Sequence, residues 1–162
     1  MPDIDTVVDG LGKGIDELIK PLVQALWDIC YDTCGSCEGH VDWGRGYPWV
    51  DLWEPNLAGI LALREALSEY NESHIPWILE GGAWDCERQR AAIELYPETG
   101  YMARTKFYGA EPIPLSLEAI EHVQAEIPLL AEFLRRYFLP LTLAEGTQPG
   151  DMSRPTRDGS PL

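Results

Sequence analysis

A break in helical periodicity between residues 31 and 53 constrains the fold of this chain more than any other feature. Before the break, apolar residues recur at steps of three and four from Ile15 to Cys30, which predicts a helix. After the break, Asn56 is a good N-cap for a second helical pattern. The segment between them is rich in glycine and aromatic residues, and its side chains alternate over 47–53. The sequence therefore predicts two strands between two helices.

Strand patterns and helical patterns continue to the C-terminal part of the chain. The predicted helices cover 15–30, 56–71 and 116–140, and the predicted strands cover 32–38, 47–53, 75–80, 90–96 and 101–108. Strands that occur in runs between helices favour an α+β fold, with a mainly antiparallel sheet and helices packed on one face. The second helix is expected to bury Leu57, Ile60, Leu61, Leu67 and Tyr70.

Glycine and proline set the expected ends of these elements. Pro21 is expected to kink the first helix or to begin a new segment, because proline has no N–H to donate. Pro128 is expected to bend the last helix, and Pro140 is expected to end it. The pair Gly81–Gly82 is expected to end the third strand, and Pro76 indicates an edge position or a strand start.

The chain has 162 residues, which is enough for one domain with its own core. We expect a flexible N-terminus over 1–11, a single domain over 12–140 and a disordered tail over 141–162. No apolar run approaches the roughly 18 residues that a membrane span needs. The acidic, polar N-terminus is unlike a signal peptide, so a cytoplasmic protein without a membrane partner is expected.

The charge of the chain is strongly negative. Twenty-seven acidic residues oppose twelve basic ones, which gives a net charge of −15. Nothing offsets repulsion from phosphates, so direct binding of nucleic acid is not expected. A basic protein is the partner that such a charge favours. One hypothesis for function is therefore an acidic interaction protein, of the kind that phages encode as inhibitors, which blocks a basic nucleic-acid-binding partner.

Cysteine and histidine concentrate between the two predicted strands. Cys30, Cys34, Cys37 and His40 follow one another at steps of four, three and three residues, which gives a Cys3His set in which Cys86 can replace one member. Thiolate and imidazole are ligands that suit zinc or iron. The spacing indicates a metal site in which zinc is the candidate ion.

The same turn also has the residues of a nucleophilic centre. Cys37 can act as a thiolate nucleophile and His40 as its base. A catalytic pair also needs an acid that orients the base, and the candidates are Glu38, Asp42 and Asp85. Under this hypothesis Cys37 is the reactive thiol, whereas Cys30 belongs to the core.

Two further interpretations of the turn involve no catalysis. Cys37 and His40 can bind a small ligand in a pocket lined by Glu38, Trp43 and Trp49. Alternatively the turn is structural, and Gly39 supplies a positive φ. The sequence leaves these alternatives open and does not decide whether the protein is an enzyme.

The motif Ser36-Cys37-Glu38-Gly39-His40 resembles one found in a class of small, mostly uncharacterised bacterial and phage proteins. That class has a leading helix, a short strand with threonine, the motif and then an aromatic strand. The resemblance extends over about residues 15–110 and implies a fold and a site rather than a reaction. The Ser-Cys-x-Gly portion is also similar to a motif of the wybutosine-synthesis methyltransferase family, although that family has arginine where this chain has His40.

Overall fold

Helices and strands follow one another in an α+β arrangement. The computed structural model describes residues 2–8, 12–41, 46–53, 56–85, 90–98 and 116–145. The elements are α1 (Lys20–Asp28), β1 (Thr33–Cys37), β2 (Trp49–Trp53), α2 (Leu57–Asn71), β3 (Trp77–Asp85), β4 (Arg90–Pro97), α3 (Leu117–Gln124) and α4 (Ile127–Glu145). The strand predicted over 101–108 lies outside these residues.

The four strands form one antiparallel sheet in the order β1-β2-β4-β3. In β2 the side chains alternate as the sequence predicts, with Val50 and Leu52 buried. Val50 is in register with Leu95, and Leu52 is in register with Ile93, so these residues share one face of the sheet. The predicted α+β class and the antiparallel sheet are therefore confirmed.

The main core lies between this face of the sheet and the helices. It combines sheet residues such as Val50 and Leu95 with buried residues of α1, α2 and α4. Helix α1 packs chiefly on α4, where Arg135 donates a hydrogen bond to Asp28 at 2.8 Å. The core therefore joins the first helix to the last, while β1 remains at an edge of the sheet.

The helix starts confirm the local signals in the sequence. The Asn56 side chain accepts a hydrogen bond from the Gly59 N–H at 2.9 Å, and Ser116 accepts one from the Ala119 N–H at 3.1 Å. Pro21 lies in the first turn of α1, where its missing N–H costs nothing. The helix therefore begins at Lys20 and not at Ile15, and Pro21 starts a segment rather than kinking one.

Helix α1 ends in a Schellman motif that has cysteine where glycine is usual. The Tyr31 N–H donates to the Leu26 carbonyl at 2.8 Å, and the Cys30 N–H donates to the Trp27 carbonyl at 2.9 Å. Cys30 has a φ of 68° and is only partly buried. The expectation that Cys30 is a core residue is therefore wrong, because the helix ends at Asp28 and Cys30 follows the C-cap residue Ile29.

The predicted apolar stripe of α2 is partly wrong. The buried side of the helix consists of Leu63, Ala66, Leu67 and Tyr70, together with Gly59. These four side chains follow an i, i+3, i+4, i+7 pattern, which includes the predicted Leu67 and Tyr70 but leaves Leu57 and Leu61 on the opposite side of the helix. Leu57 and Leu61 are therefore exposed, at 69% and 53%. Leu117 at the start of α3 is exposed as well.

Two predicted interruptions do not end their elements. Strand β3 continues through Gly81 to Asp85, with a register shift between Gly81 and Trp84, because a bulge absorbs the irregularity. Helix α4 continues past Pro140 to Glu145. Pro140 lies on the exposed side of α4, where water can solvate the carbonyl that loses its N–H partner.

Pro128 and the chain ends differ in part from the predicted pattern. Pro128 is the second residue of α4, so the predicted single helix is two helices that are separated by Ala125 and Glu126. Near the N-terminus, Ile4 and Val7 pack against the core. The last residues of α4 lie within the range that was predicted to be a tail.

No helix in the described ranges has the length and apolarity to cross a bilayer.

Candidate functional site

The candidate site begins where β1 ends. Cys37 is the last residue of β1 and has only 6% of its surface exposed. The chain then turns sharply at Gly39, which has a φ of +87°. A Cβ on Gly39 would lie 2.8 Å from the Tyr47 carbonyl carbon and 3.0 Å from the Pro48 nitrogen. Only glycine fits this close approach, which determines where His40 emerges beside Cys37.

A third side chain reaches this turn from the segment that precedes α1. The Asp16 Oδ2 lies 3.5 Å from the His40 Nε2 and accepts a hydrogen bond from the Glu38 N–H at 3.3 Å. One ligand atom each from Asp16, Cys37 and His40 all lie within 4.8 Å of one another. Thiol, imidazole and carboxylate thus converge at a single point between two segments of the chain.

Hydrogen bonds hold the two segments against each other. While Asp16 accepts from the Glu38 N–H, the Glu38 carboxylate accepts from the Leu18 N–H at 3.0 Å. From α3, the Gln124 side chain donates to the Glu38 carbonyl at 2.9 Å and to the Gly39 carbonyl at 3.4 Å. The backbone of the turn is therefore fixed from two sides.

The surroundings of the site shift the pKa of the thiol and the pKa of the carboxylate in opposite directions. Burial raises the pKa of the Cys37 thiol, and the Asp16 carboxylate adds to this rise against the opposing hydrogen bond from the Gly39 N–H. For Asp16, burial opposes ionisation, but hydrogen bonds from Lys13, the Glu38 N–H and His40 outweigh it and lower its pKa. Lys13 contacts the Asp16 Oδ1 at 2.9 Å. The carboxylate is thus held in its charged form.

The structure brings together two of the three predicted metal ligands. Cys37 and His40 belong to the cluster, but Cys34 does not. Cys34 is exposed, and its Sγ lies 3.5 Å from the Asp51 carbonyl oxygen, within hydrogen-bonding distance. The predicted set of Cys34, Cys37 and His40 is therefore corrected, because the β1–β2 pairing directs Cys34 away from Cys37.

The residues predicted to line a ligand pocket have other contacts. Glu38 bonds to the Leu18 N–H, so its carboxylate closes the turn. Trp49 is in register with Cys37, and its ring lies over Gly35, where an added Cβ would come within 3.3 Å of it. Trp43 lies outside the residues that the structure describes.

Asp16 is the site residue that sequence reasoning missed. The helix predicted over 15–30 includes Asp16 in its first turn, where an acid suits the positive end of the helix dipole. Cys37 and His40, the other members of the cluster, are more than 20 residues away in the sequence, and no local spacing indicates the contact. The predicted orienting acid Glu38 faces Leu18, and Asp42 lies outside the described residues.

The burial of Cys37 predicts an order of thiol reactivity. Of the three cysteines in the described ranges, Cys34 should react fastest under brief alkylation at neutral pH and Cys37 slowest, by at least about tenfold, because Cys37 reacts only after local opening. Tandem mass spectrometry of the modified peptides measures each thiol separately. This order reverses the expectation that Cys37 is the reactive thiol. Labelling of Cys37 as fast as that of Cys34 would show that the turn is open in solution.

Comparison of the chain with protein-family models, with curated proteins and with solved structures finds no significant match.

Proposed function

We propose that the protein binds a transition-metal ion, with zinc as the preferred ion, through Asp16, Cys37 and His40. The observation that carries the proposal is the convergence of one ligand atom from each residue within 4.8 Å. The ligand set combines a thiolate, an imidazole and a carboxylate, which suits zinc rather than magnesium or calcium. The described residues thus supply three of the four ligands of a tetrahedral site.

One distance in the cluster already matches that between two ligands of a bound zinc ion. Zinc bond lengths place tetrahedral ligand atoms about 3.3–3.7 Å apart. The His40 Nε2 and the Asp16 Oδ2 are already 3.5 Å apart. Any remaining adjustment concerns side-chain torsions of Cys37, since hydrogen bonds already fix the backbone around it.

Groups outside the cluster support the ligands as they do in zinc sites. Lys13 and the Glu38 N–H orient the Asp16 carboxylate, and the Gly39 N–H points at the Cys37 sulfur from 3.4 Å. Such partners fix ligand orientation, and their loss typically costs 10–100-fold in metal affinity. Gln124 adds a restraint on the turn from α3.

The geometry favours binding over nucleophilic catalysis. An activated cysteine needs an accessible thiol with a base beside it, whereas Cys37 is buried and interacts with the Asp16 carboxylate. A metal at this point would join the segment before α1 to the end of β1. We therefore propose a metal-binding site that fastens these two segments, and we propose no reaction.

A zinc titration of the metal-free protein tests the proposal. Competition with a chromophoric chelator should give one tightly bound zinc per chain. Asp16→Asn, Cys37→Ser and His40→Gln should each weaken binding by about 100-fold or more, since loss of a ligand exceeds loss of an outer partner. Zinc at about 100 times its Kd should stabilise the wild type by about 2.7 kcal/mol, or about 5–10 °C in Tm.

Cys34→Ser is the matched control, because Cys34 lies on the same strand but outside the cluster. This substitution should leave zinc affinity within about twofold. Cobalt(II) should give a thiolate charge-transfer absorption that is lost in Cys37→Ser and kept in Cys34→Ser. Equal losses in the two serine variants, or no stoichiometric zinc binding at all, would overturn the proposal.

A further inference from the structure

The outer surface of α2 has two leucines that contribute nothing to the core. Leu57 is 69% exposed and Leu61 is 53% exposed. The buried side of this helix is already complete with Leu63, Ala66, Leu67 and related residues. Leucines that satisfy no packing requirement, four residues apart on one face, form an apolar patch at the N-terminal end of the helix.

Acidic residues continue the same line toward the C-terminal end of α2. Glu65 and Glu69 follow Leu57 and Leu61 at four-residue steps, and Glu72 comes directly after the helix. All three glutamates are exposed, and none has an ion pair with a residue in the described ranges. We name the line Leu57, Leu61, Glu65 and Glu69, together with Glu72, the α2 ridge.

The position of these carboxylates is unfavourable for the helix itself. The C-terminal end of a helix carries partial negative charge, so acids there reduce helix stability. The last turn of α2 contains no basic residue that would offset this effect. The α2 ridge therefore has apolar groups at one end and three exposed carboxylates at the other, with Arg64 as the one basic residue of the helix.

We infer that the α2 ridge is a docking surface for a basic helical segment of another protein. The segment would place apolar side chains against Leu57 and Leu61 and lysine or arginine side chains against the glutamates. Charge complementarity selects this partner, because the net charge of −15 repels nucleic acids and anionic membranes.

A second copy of the chain does not fit the α2 ridge as well. Two packed helices run antiparallel when the twofold axis is perpendicular to them and parallel when the axis lies along them. The antiparallel arrangement would place the leucines of each copy against the glutamates of the other, and the parallel arrangement would place glutamates against glutamates. The desolvated carboxylates would then lack a positive partner, which costs free energy. The ridge is suited to a partner of opposite charge pattern.

A peptide-binding assay tests this inference. The probe is a fluorescent peptide of about 16 residues, long enough to become helical, with leucines in one half and lysines in the other. The comparison peptide has the same composition with the two residue types interspersed. Fluorescence anisotropy should show that the full-length protein binds the first peptide at least about tenfold more tightly.

Matched pairs of variants locate the binding surface. Leu57→Ser with Leu61→Ser should weaken binding by at least about tenfold, whereas Leu117→Ser with Leu129→Ser, which are comparably exposed, should change it less than about twofold. Glu65→Gln with Glu69→Gln should weaken binding and reduce its dependence on salt. Glu118→Gln with Glu121→Gln on α3 is the charge control.

Several outcomes would overturn the inference. These are no preference between the two peptides, equal weakening by ridge and control pairs, or no binding at all. Sedimentation that shows a dimer lost in the Leu57→Ser and Leu61→Ser variant would make a second copy the occupant instead. Zinc affinity should be unchanged in the ridge variants, so failure here is distinguishable from failure of the proposed metal site.

Discussion

Gly39→Ala is expected to destabilise the protein by about 3 kcal/mol or more, one of the two largest effects that we expect from a single substitution. The new Cβ would meet the Tyr47 carbonyl carbon at 2.8 Å and the Pro48 nitrogen at 3.0 Å, both of which belong to the backbone. Backbone atoms cannot rotate away, so the turn must open. The φ of +87° adds roughly 1–2 kcal/mol for any residue with a side chain. Urea denaturation measures the loss.

Alanine substitutions at two other glycines separate the cost of the steric clash from the cost of the positive φ. Gly12 also has a positive φ, of +78°, but an added Cβ would meet nothing within 4 Å. Gly12→Ala should therefore cost only the backbone term, about 1 kcal/mol. Gly81 has neither constraint, and Gly81→Ala should lie within about 0.5 kcal/mol of the wild type. A Gly39→Ala variant no less stable than Gly12→Ala would contradict the close approach of the turn to β2.

The parts of the fold that the sequence predicts are those fixed by local chemistry. The caps at Asn56 and Ser116, and the alternation in β2, depend on residues within a few positions of one another. The stripe of α2 depends instead on which side the sheet covers. Apolar residues lie on both sides of that helix, so periodicity alone could not show that Leu57 and Leu61 are exposed.

In the candidate site, too, the sequence predicts the residues that are near one another in the chain and misses the one that is distant. Cys37 and His40 share one turn, so the motif identifies them without a structure. Asp16 joins them only because the segment before α1 packs against the end of β1, a contact between distant parts of the chain. Cys34 fits the metal spacing in the sequence, but strand geometry places it elsewhere. The spacing in the sequence therefore identifies two of the three members of the cluster, and it adds Cys34, which lies outside the cluster.

Asn71→Leu is expected to cost about 2–3 kcal/mol, although the substitution removes no charge and adds apolar surface. The Asn71 side chain accepts a hydrogen bond from the Trp77 N–H at 2.9 Å and donates one to the Trp77 carbonyl at 2.8 Å. Trp77 is buried and starts β3, an edge strand of the sheet. The amide of Asn71 thus takes the place of a neighbouring strand, and each lost bond leaves a polar backbone group without its partner.

Asn71→Asp distinguishes this role from a general effect at the end of α2. Aspartate keeps the acceptor for the Trp77 N–H but loses the donor to the Trp77 carbonyl, and its charge at the C-terminal end of α2 lowers stability further. Exchange of the Trp77 amide, rather than global stability, therefore separates the two variants. Hydrogen exchange of the Trp77 amide should accelerate strongly in Asn71→Leu and less in Asn71→Asp. Equal exchange rates at Trp77 in all three proteins would mean that the Asn71 side chain does not protect the edge of β3. In that case the start of β3 is held by its pairing with β4 alone, through bonds such as that from the Glu98 N–H to the Pro76 carbonyl at 2.8 Å.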